Sequence, residues 1–159
     1  MKSKNKFIYL ISPNKLNSNF YNDLNQIFKT NKVKFFQLRL KKNSAYKIIK
    51  IARKVKKICK RYKVKFIIND NPYIAKKVSA DGCHLGQSDL HLIKARKMLK
   101  NKIIGITCHN SLKLAKEAIK NKADYIALGA FYKSNTKQVK FRSKITHLKQ
   151  IRKISKKPI

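Results

Sequence analysis

Short hydrophobic runs rich in β-branched and aromatic residues alternate along this chain with longer segments whose apolar residues recur every three or four positions. The short runs are typical of buried β-strands, and the longer segments are typical of amphipathic helices. Regular alternation of the two is typical of successive β-α units, which build a parallel sheet. The predicted strands cover residues 7–11, 33–40, 64–68, 82–85, 103–107 and 124–128.

The helical segments lie between these strands. In the first, which begins near Leu16, the spacing of Phe20, Leu24 and Phe28 builds a single apolar face. The second covers residues 44–62, with Ser44 as its predicted N-cap. The remaining helices are predicted over residues 72–78, 90–99, 112–120 and 144–154.

The chain thus holds six β-α units, and residues 156–159 have the composition of the start of a seventh strand. Its 159 residues, 43% of them hydrophobic, can bury one continuous core, so we expect a single domain over residues 1–159. Six parallel strands fit either a doubly wound open sheet or most of an eight-stranded barrel. Periodicity alone does not choose between these two α/β folds.

The net charge of +35 arises from 41 basic and 6 acidic residues. Only six of the basic residues are Arg, and the Lys residues are spread along the whole chain rather than grouped with interleaved aromatic residues. We therefore interpret the charge as a compositional bias of the surface, and we predict no specific nucleic-acid partner.

Several sequence features bear on location. No apolar run reaches the roughly 20 residues that a membrane span needs, so no membrane partner is expected. The basic N-terminus is not followed by a signal-peptide cleavage pattern, and we predict a cytoplasmic protein. The three cysteines are far apart, and we expect buried thiols rather than disulfides or zinc ligands.

Polar residues collect where the predicted strands end, at the edge where parallel α/β folds bind ligands. After the second strand, Gln37, Arg39 and Lys41 alternate with Leu38 and Leu40, so a period of two directs the three polar side chains to one side. The fork of the Arg39 guanidinium suits phosphate oxygens. The alternative is an exposed strand edge without a ligand.

Two carboxylates follow neighbouring strands. Asp70 comes after the third strand together with Asn69, and Asp89 comes shortly after the fourth. Carboxylates beside cationic groups suit Mg²⁺ bound to a diphosphate, since Mg²⁺ prefers oxygen ligands and shares its shell with substrate phosphates. The alternative is helix capping, by Asp70 before Pro72 and by Ser88 or Asp89 before residue 90.

The remaining polar positions give weaker signals. Asp81 and Asp124 precede the fourth and sixth strands, hence lie at the opposite end of the sheet, and we expect them to form structural turns. Thr107 ends the fifth strand and His109 follows, a position typical of a histidine at a helix terminus. The loop over residues 129–137 carries hydroxyls and a lysine but is a weak phosphate-loop signal.

Several of these segments together form a specific set of motifs. They are Gln37-Leu38-Arg39-Leu40-Lys41, Ile68-Asn69-Asp70, and the segments 80–89, 104–109 and 123–129, the last followed by Thr136-Lys137. In order and spacing this set resembles thiamine phosphate synthase over nearly the whole chain. The resemblance implies a (β/α)8 TIM barrel and a transferase that joins a pyrimidine diphosphate to a thiazole phosphate, giving thiamine monophosphate and diphosphate.

The resemblance also implies roles for individual residues. Arg39, Lys41 and Lys137 would be catalytic through positioning and charge stabilisation, without a strong general base. Asp70 and Asp89 would bind Mg²⁺. The pyrimidine diphosphate would be held by Gln37, Leu38, Arg39, Leu40, Lys41, Asn69, Thr107 and Lys137, and the thiazole phosphate by Ser134, Asn135 and Thr136.

Length is the main departure from this family. A TIM barrel typically needs about 250 residues, and phosphates often bind after strands seven and eight. We therefore expect a C-terminally incomplete barrel of about six β-α units, with homo-oligomerisation left open. The alternative functions are a thiazole tautomerase, with His109 as acid/base and no metal, and a non-catalytic relative that binds the ligands only.

Overall fold

The computed structural model describes residues 6–132 and 140–159, in which six strands alternate with six helices as the sequence predicts. The strands are β1 (Ile8–Ile11), β2 (Val33–Leu38), β3 (Lys65–Asn69), β4 (Gly82–Leu85), β5 (Ile103–His109) and β6 (Tyr125–Leu128). The helices are α1 (Phe20–Lys29), α2 (Ala45–Arg61), α3 (Pro72–Lys77), α4 (Leu92–Leu99), α5 (Leu112–Lys120) and α6 (Ile145–Ile154).

The chain divides into two compact units, Met1–Cys83 and His84–Ile159, with the boundary inside β4. In the first unit the strand order is β1-β2-β3, and both pairs are parallel. Phe36 of β2 and Phe66 of β3 stack at the centre of its core. The predicted apolar face of α1 is confirmed, because Phe20, Leu24 and Phe28 are all buried.

In the second unit the strand order is β4-β5-β6, and β5 pairs with β6 in parallel. Its core contains Ile104, Ile126 and Ile151, all at most 1% exposed. The predicted start of a seventh strand is not a regular strand, yet it lies beside β6, where the Ile126 N–H donates to the Pro158 carbonyl at 3.0 Å.

All three cysteines fall within the described residues. Cys59, Cys83 and Cys108 are buried and form no disulfide, as the sequence predicts. Burial raises the pKa of the Cys59 thiol and that of the Cys108 thiol to about 12, so neither is a thiolate at neutral pH. Within residues 6–132 and 140–159, moreover, we find no helix with the length and apolar character needed to cross a bilayer.

Four predicted boundaries differ from the structure by two or more residues, each for a local reason. Helix α1 begins at Phe20 rather than near Leu16, because residues 17–19 are Asn, Ser and Asn, which favour turns. Strand β2 ends at Leu38, since the Arg39 N–H donates to the Ser12 hydroxyl rather than to a neighbouring strand.

The other two boundaries lie in the second unit. Helix α4 begins at Leu92 instead of residue 90, because His91 is its N-cap and accepts from the Ile93 N–H. Strand β5 continues past Thr107 to His109, where the ladder with β6 shifts register and the backbone of His109 turns to a φ of 52°. An irregularity of this kind leaves no periodic signal in the sequence.

Two aspartates close the turns that lead into β4 and β6. The Asp81 carboxylate accepts from the Phe66 N–H at 2.9 Å and from the Lys56 ammonium at 3.0 Å, while its own N–H donates to the Phe66 carbonyl. Asp81 thereby ties helix α2 and the turn before β4 to the entry of β3. The prediction that this residue is structural is confirmed.

Asp124 repeats the arrangement two strands further along the chain. Its carboxylate accepts from the Ile104 N–H at 2.8 Å and from the Arg96 guanidinium at 2.6 Å, and its own N–H donates to the Ile104 carbonyl. Asp124 thus ties helix α4 to the entry of β5, and its predicted structural role is also confirmed.

Replacing Asp81 with Asn should alter the acid dependence of stability. Burial alone would raise the pKa of the Asp81 carboxyl, but the Phe66 N–H and the Lys56 ammonium outweigh it and hold the pKa below its usual value. The carboxylate therefore contributes stability that is complete above its unfolded pKa of about 3.9 and is lost as pH falls through the lower folded value. We expect Asp81→Asn to lose less stability than the parent between about pH 5 and pH 3.

Urea unfolding followed by circular dichroism at several pH values measures this difference. The matched control is Asp23→Asn, which removes the same charge at an exposed position on α1. If Asp81→Asn shows the same acid-induced loss as the parent, the Asp81 carboxylate does not contribute to stability through its charge.

Candidate active site

At the carboxyl end of β2, Gln37 is a buried polar residue, only 3% exposed. Its side-chain amide donates to the Tyr9 hydroxyl of β1 at 3.2 Å. A buried amide of this kind requires a fixed partner, and the partner holds its orientation. The sequence indicated Gln37 but not Tyr9. The two meet only through the register of β1 with β2, in which Ile11, two residues after Tyr9, lies opposite Gln37.

Arg39 lies directly after β2 and is fixed at two points by the loop that follows β1. Its N–H donates to the Ser12 hydroxyl at 2.8 Å, and its guanidinium donates to the Asn14 side chain at 3.0 Å. Ser12 is itself 5% exposed. Sequence reasoning missed Ser12. The available signal was a polar residue at the end of a strand, directly before Pro13.

The predicted alternation after β2 is present. Leu38 and Leu40 are buried at 2% and 4%, whereas Arg39 and Lys41 remain accessible to solvent. The ammonium of Lys41 lies 3.4 Å from the Asp70 carboxylate, and the two side chains are 50% and 30% exposed. A cation and an anion therefore lie side by side at the carboxyl ends of β2 and β3.

Asp70 does not cap the following helix, so the capping alternative is wrong at this position. The N-cap of α3 is Asn71, whose side chain accepts from the Ile74 N–H at 3.0 Å. Asp70 itself adopts a positive φ of 65° between β3 and that cap. A cavity of about 230 Å³ opens here, and its walls include Leu38, Leu40, Lys41, Asn69 and Asp70.

In the second unit, Asp89 closes the loop after β4. Its carboxylate accepts from the Gly86 N–H at 2.6 Å. The N-cap of α4 is His91, so the alternative that Ser88 or Asp89 caps this helix is wrong. Among the described residues, His, Cys, Asp and Glu side chains nowhere form a group of three placed to hold a metal ion.

Thr107 lies at the carboxyl end of β5. Two residues of this unit contact it, His84 on β4 and Gln87 in the loop after β4. His84 Nε2 is 2.9 Å from the Thr107 hydroxyl, and the Gln87 side chain donates to the Thr107 carbonyl. His84 Nδ1 is in turn 2.8 Å from the Tyr125 hydroxyl of β6, and the two rings stack with centroids 5.5 Å apart. His84 and Tyr125 lie within the motifs, but sequence reasoning gave them no role.

His109 holds the segment after β6 through its backbone. Its carbonyl accepts from the Gly129 N–H at 3.0 Å and from the Ser143 hydroxyl at 3.1 Å, and its ring packs 4.4 Å from that of Phe141. The N-cap of α5 is Ser111, so His109 is not the terminus of that helix. The predicted residues Ser134, Asn135, Thr136 and Lys137 lie outside the described residues.

Gly105 is needed for the Tyr125 ring to reach His84. The two residues lie opposite each other on β5 and β6, and a Cβ built on Gly105 would overlap the Tyr125 ring. Gly105→Ala should therefore destabilise the protein by about 1–3 kcal/mol, the usual cost of overpacking. Urea unfolding measures the change in free energy.

The control for this prediction is a double-mutant cycle. Tyr125→Ala removes the ring that the new methyl group meets, so Gly105→Ala should cost much less in that background. Equal costs in the two backgrounds would show that the overlap is not the cause.

The chain is similar to known proteins both in sequence and in structure. The model of the family described as Thiamine monophosphate synthase matches residues 8–159. The chain is 59% identical to the thiamine-phosphate synthase of Pelagibacter ubique over 99% of its own length and 77% of that protein. It is 42% identical to the thiamine-phosphate synthase of Fusobacterium nucleatum over its whole length and 78% of that protein.

Among solved structures, the chain resembles the thiamine phosphate pyrophosphorylase of Pyrococcus furiosus. The TM-score is 0.81 at 25% sequence identity, over 98% of this chain and 73% of the other. The predicted α/β fold of the TIM-barrel type is confirmed by this similarity.

Proposed function

Because the chain belongs to the thiamine monophosphate synthase family, we propose that it is the transferase that joins a pyrimidine diphosphate to a thiazole phosphate. The products are thiamine monophosphate and diphosphate. The observation that carries this proposal is the placement of Lys41 beside Asp70 at the carboxyl ends of β2 and β3, with Arg39 held by the loop after β1 directly after β2. This set of groups suits a diphosphate and its metal ion.

In the proposed reaction, the bond from the pyrimidine methylene carbon to the diphosphate oxygen breaks, and its electron pair leaves with the diphosphate. The lone pair of the thiazole nitrogen then forms the new C–N bond to that carbon. Negative charge therefore develops on the leaving diphosphate. Fixed cations near it stabilise the transition state more than the bound substrate.

Arg39 and Lys41 are the cations that we assign to the diphosphate. The Asn14 side chain and the Ser12 hydroxyl hold Arg39 in place, which limits the reorganisation needed during the reaction. Lys41 is a flexible, half-exposed ammonium that can exchange its contact with Asp70 for a phosphate oxygen.

We propose Asp70 as a ligand of Mg²⁺, and likewise Asp89. The donor chemistry fits, because both are carboxylates, Asp70 is not used as a helix cap, and Asp89 has its side chain oriented by the Gly86 N–H. When bound, Mg²⁺ would neutralise charge on the diphosphate oxygens.

The remaining assignments follow from the resemblance and stay predictions. Gln37, Asn69 and Thr107 would bind the pyrimidine diphosphate, together with the backbone near Leu38 and Leu40 and with Lys137. Ser134, Asn135 and Thr136 would bind the thiazole phosphate.

The direct test is the assay of the purified protein with both substrates and Mg²⁺, with thiamine monophosphate separated by chromatography. We expect product with Mg²⁺ and none after chelation. Asp70→Asn and Asp89→Asn should each lower kcat/KM by about 10²–10³-fold, because each removes a charge that supports the leaving group. The control is Asp23→Asn on the exposed face of α1, which should retain full activity.

Two results would contradict the proposal. Conversion of the thiazole phosphate to an isomer, unaffected by chelation and by Asp89→Asn, would identify a tautomerase instead. Calorimetric binding of both substrates without product would identify a non-catalytic relative.

A further inference from the structure

A continuous hydrogen-bonded chain runs across the second unit through three side chains. It leads from the Tyr125 hydroxyl to His84 Nδ1 at 2.8 Å, and from His84 Nε2 to the Thr107 hydroxyl at 2.9 Å. All three side chains are partly buried. The two bonds are coupled, because a neutral imidazole has one nitrogen that donates and one that accepts.

The coupling allows two directions of hydrogen-bond donation through these three side chains, and the relative donor strengths favour one of them. A phenol is a stronger hydrogen-bond donor than an aliphatic alcohol, since its conjugate base is stabilised by the ring and its pKa is about 10. For the same reason its oxygen is the weaker acceptor. Tyr125 is therefore expected to donate to Nδ1, which leaves the proton on Nε2 to be donated to the Thr107 oxygen.

This direction decides what Thr107 can offer to a ligand. When its oxygen accepts from His84, its own proton is available for another acceptor. In the opposite direction that proton is used on His84, and Thr107 can present only lone pairs. A diphosphate needs donors, because lone pairs facing its oxygens are repelled.

Packing holds the Tyr125 ring in place independently of its hydroxyl. The ring lies in the space left by the absent side chain of Gly105 and stacks on His84. Removal of the hydroxyl alone should therefore leave the ring where it is, so the effect of the hydrogen bond can be separated from that of the packing.

We propose that Tyr125 is a positioning residue that fixes His84 as the Nε2–H tautomer and thereby makes the Thr107 hydroxyl a donor to the diphosphate. The part that concerns the diphosphate rests on the proposed function. The tautomer itself does not.

Nitrogen-15 NMR of the histidine-labelled protein tests the tautomer directly. In the parent, His84 Nε2 should carry the proton and Nδ1 should not. In Tyr125→Phe the Nδ1 signal should shift, because it loses its donor, and the Nδ1–H tautomer should gain population. A proton on Nδ1 in the parent would overturn the proposal, whatever any variant does.

Binding of inorganic diphosphate in the presence of Mg²⁺, measured by calorimetry, tests the consequence. Tyr125→Phe should weaken binding about tenfold, the effect of one hydrogen bond to a charged group. Thr107→Val should weaken it similarly, and the double variant should lose little more, whereas Thr107→Ser should retain binding. The control is Tyr73→Phe, at an exposed position on α3, which should bind as the parent does.

The outcomes separate the two proposals. If Tyr125→Phe binds diphosphate as the parent does while the parent makes thiamine monophosphate, the positioning role is wrong and the function stands. If the parent makes no product but diphosphate binding depends on Tyr125 as expected, the function is wrong and the positioning role stands. Additive losses in the double variant would also overturn the role, since they would show that Tyr125 acts independently of Thr107.

Discussion

The backbone N–H groups at the entries of β3 and β5 need partners, and Asp81 and Asp124 provide them. Each carboxylate accepts one N–H of the entering strand and one cation from a preceding helix, Lys56 of α2 or Arg96 of α4. One side chain thus orders a turn, a strand and a helix together. These contacts lie at the amino ends of the strands. They therefore stabilise the strands and helices without occupying the carboxyl ends, where the candidate site residues lie.

The few acidic residues are therefore divided between two tasks. Of the six in the chain, two secure strand entries, and two others, Asp70 and Asp89, follow strand ends. This division separates stability from chemistry along the length of a strand, as is usual in parallel α/β folds.

Among the basic residues, a single arginine also makes several contacts at once. Arg96 alone donates to Asp124 and to the carbonyls of Lys100, Lys102 and Lys122, which a single ammonium could not do in this geometry.

The sequence predicted the elements well, because their periodicity is strong. The bounds of β4 and α5 match the prediction, and the role of Asp81 was correct. Boundaries were wrong where one side chain competes with the backbone, as Ser12 does at Arg39 and His91 does at α4. The contacts of Tyr9 and Tyr125 could not be predicted, since they depend on which residues the strand register brings face to face. Residues 134–137, which carry part of the predicted site, lie outside the described residues.

The close approach of Tyr125 to Gly105 also constrains how this sequence can diverge. A side chain at position 105 is compatible with the fold only if the residue at position 125 becomes smaller, and a smaller residue there no longer reaches His84. The overlap therefore constrains the order of the two changes, because a smaller residue at position 125 makes room for a side chain at position 105 and not the reverse. A relative with a side chain at position 105 should therefore also carry a smaller residue at position 125, whereas glycine at 105 is compatible with either.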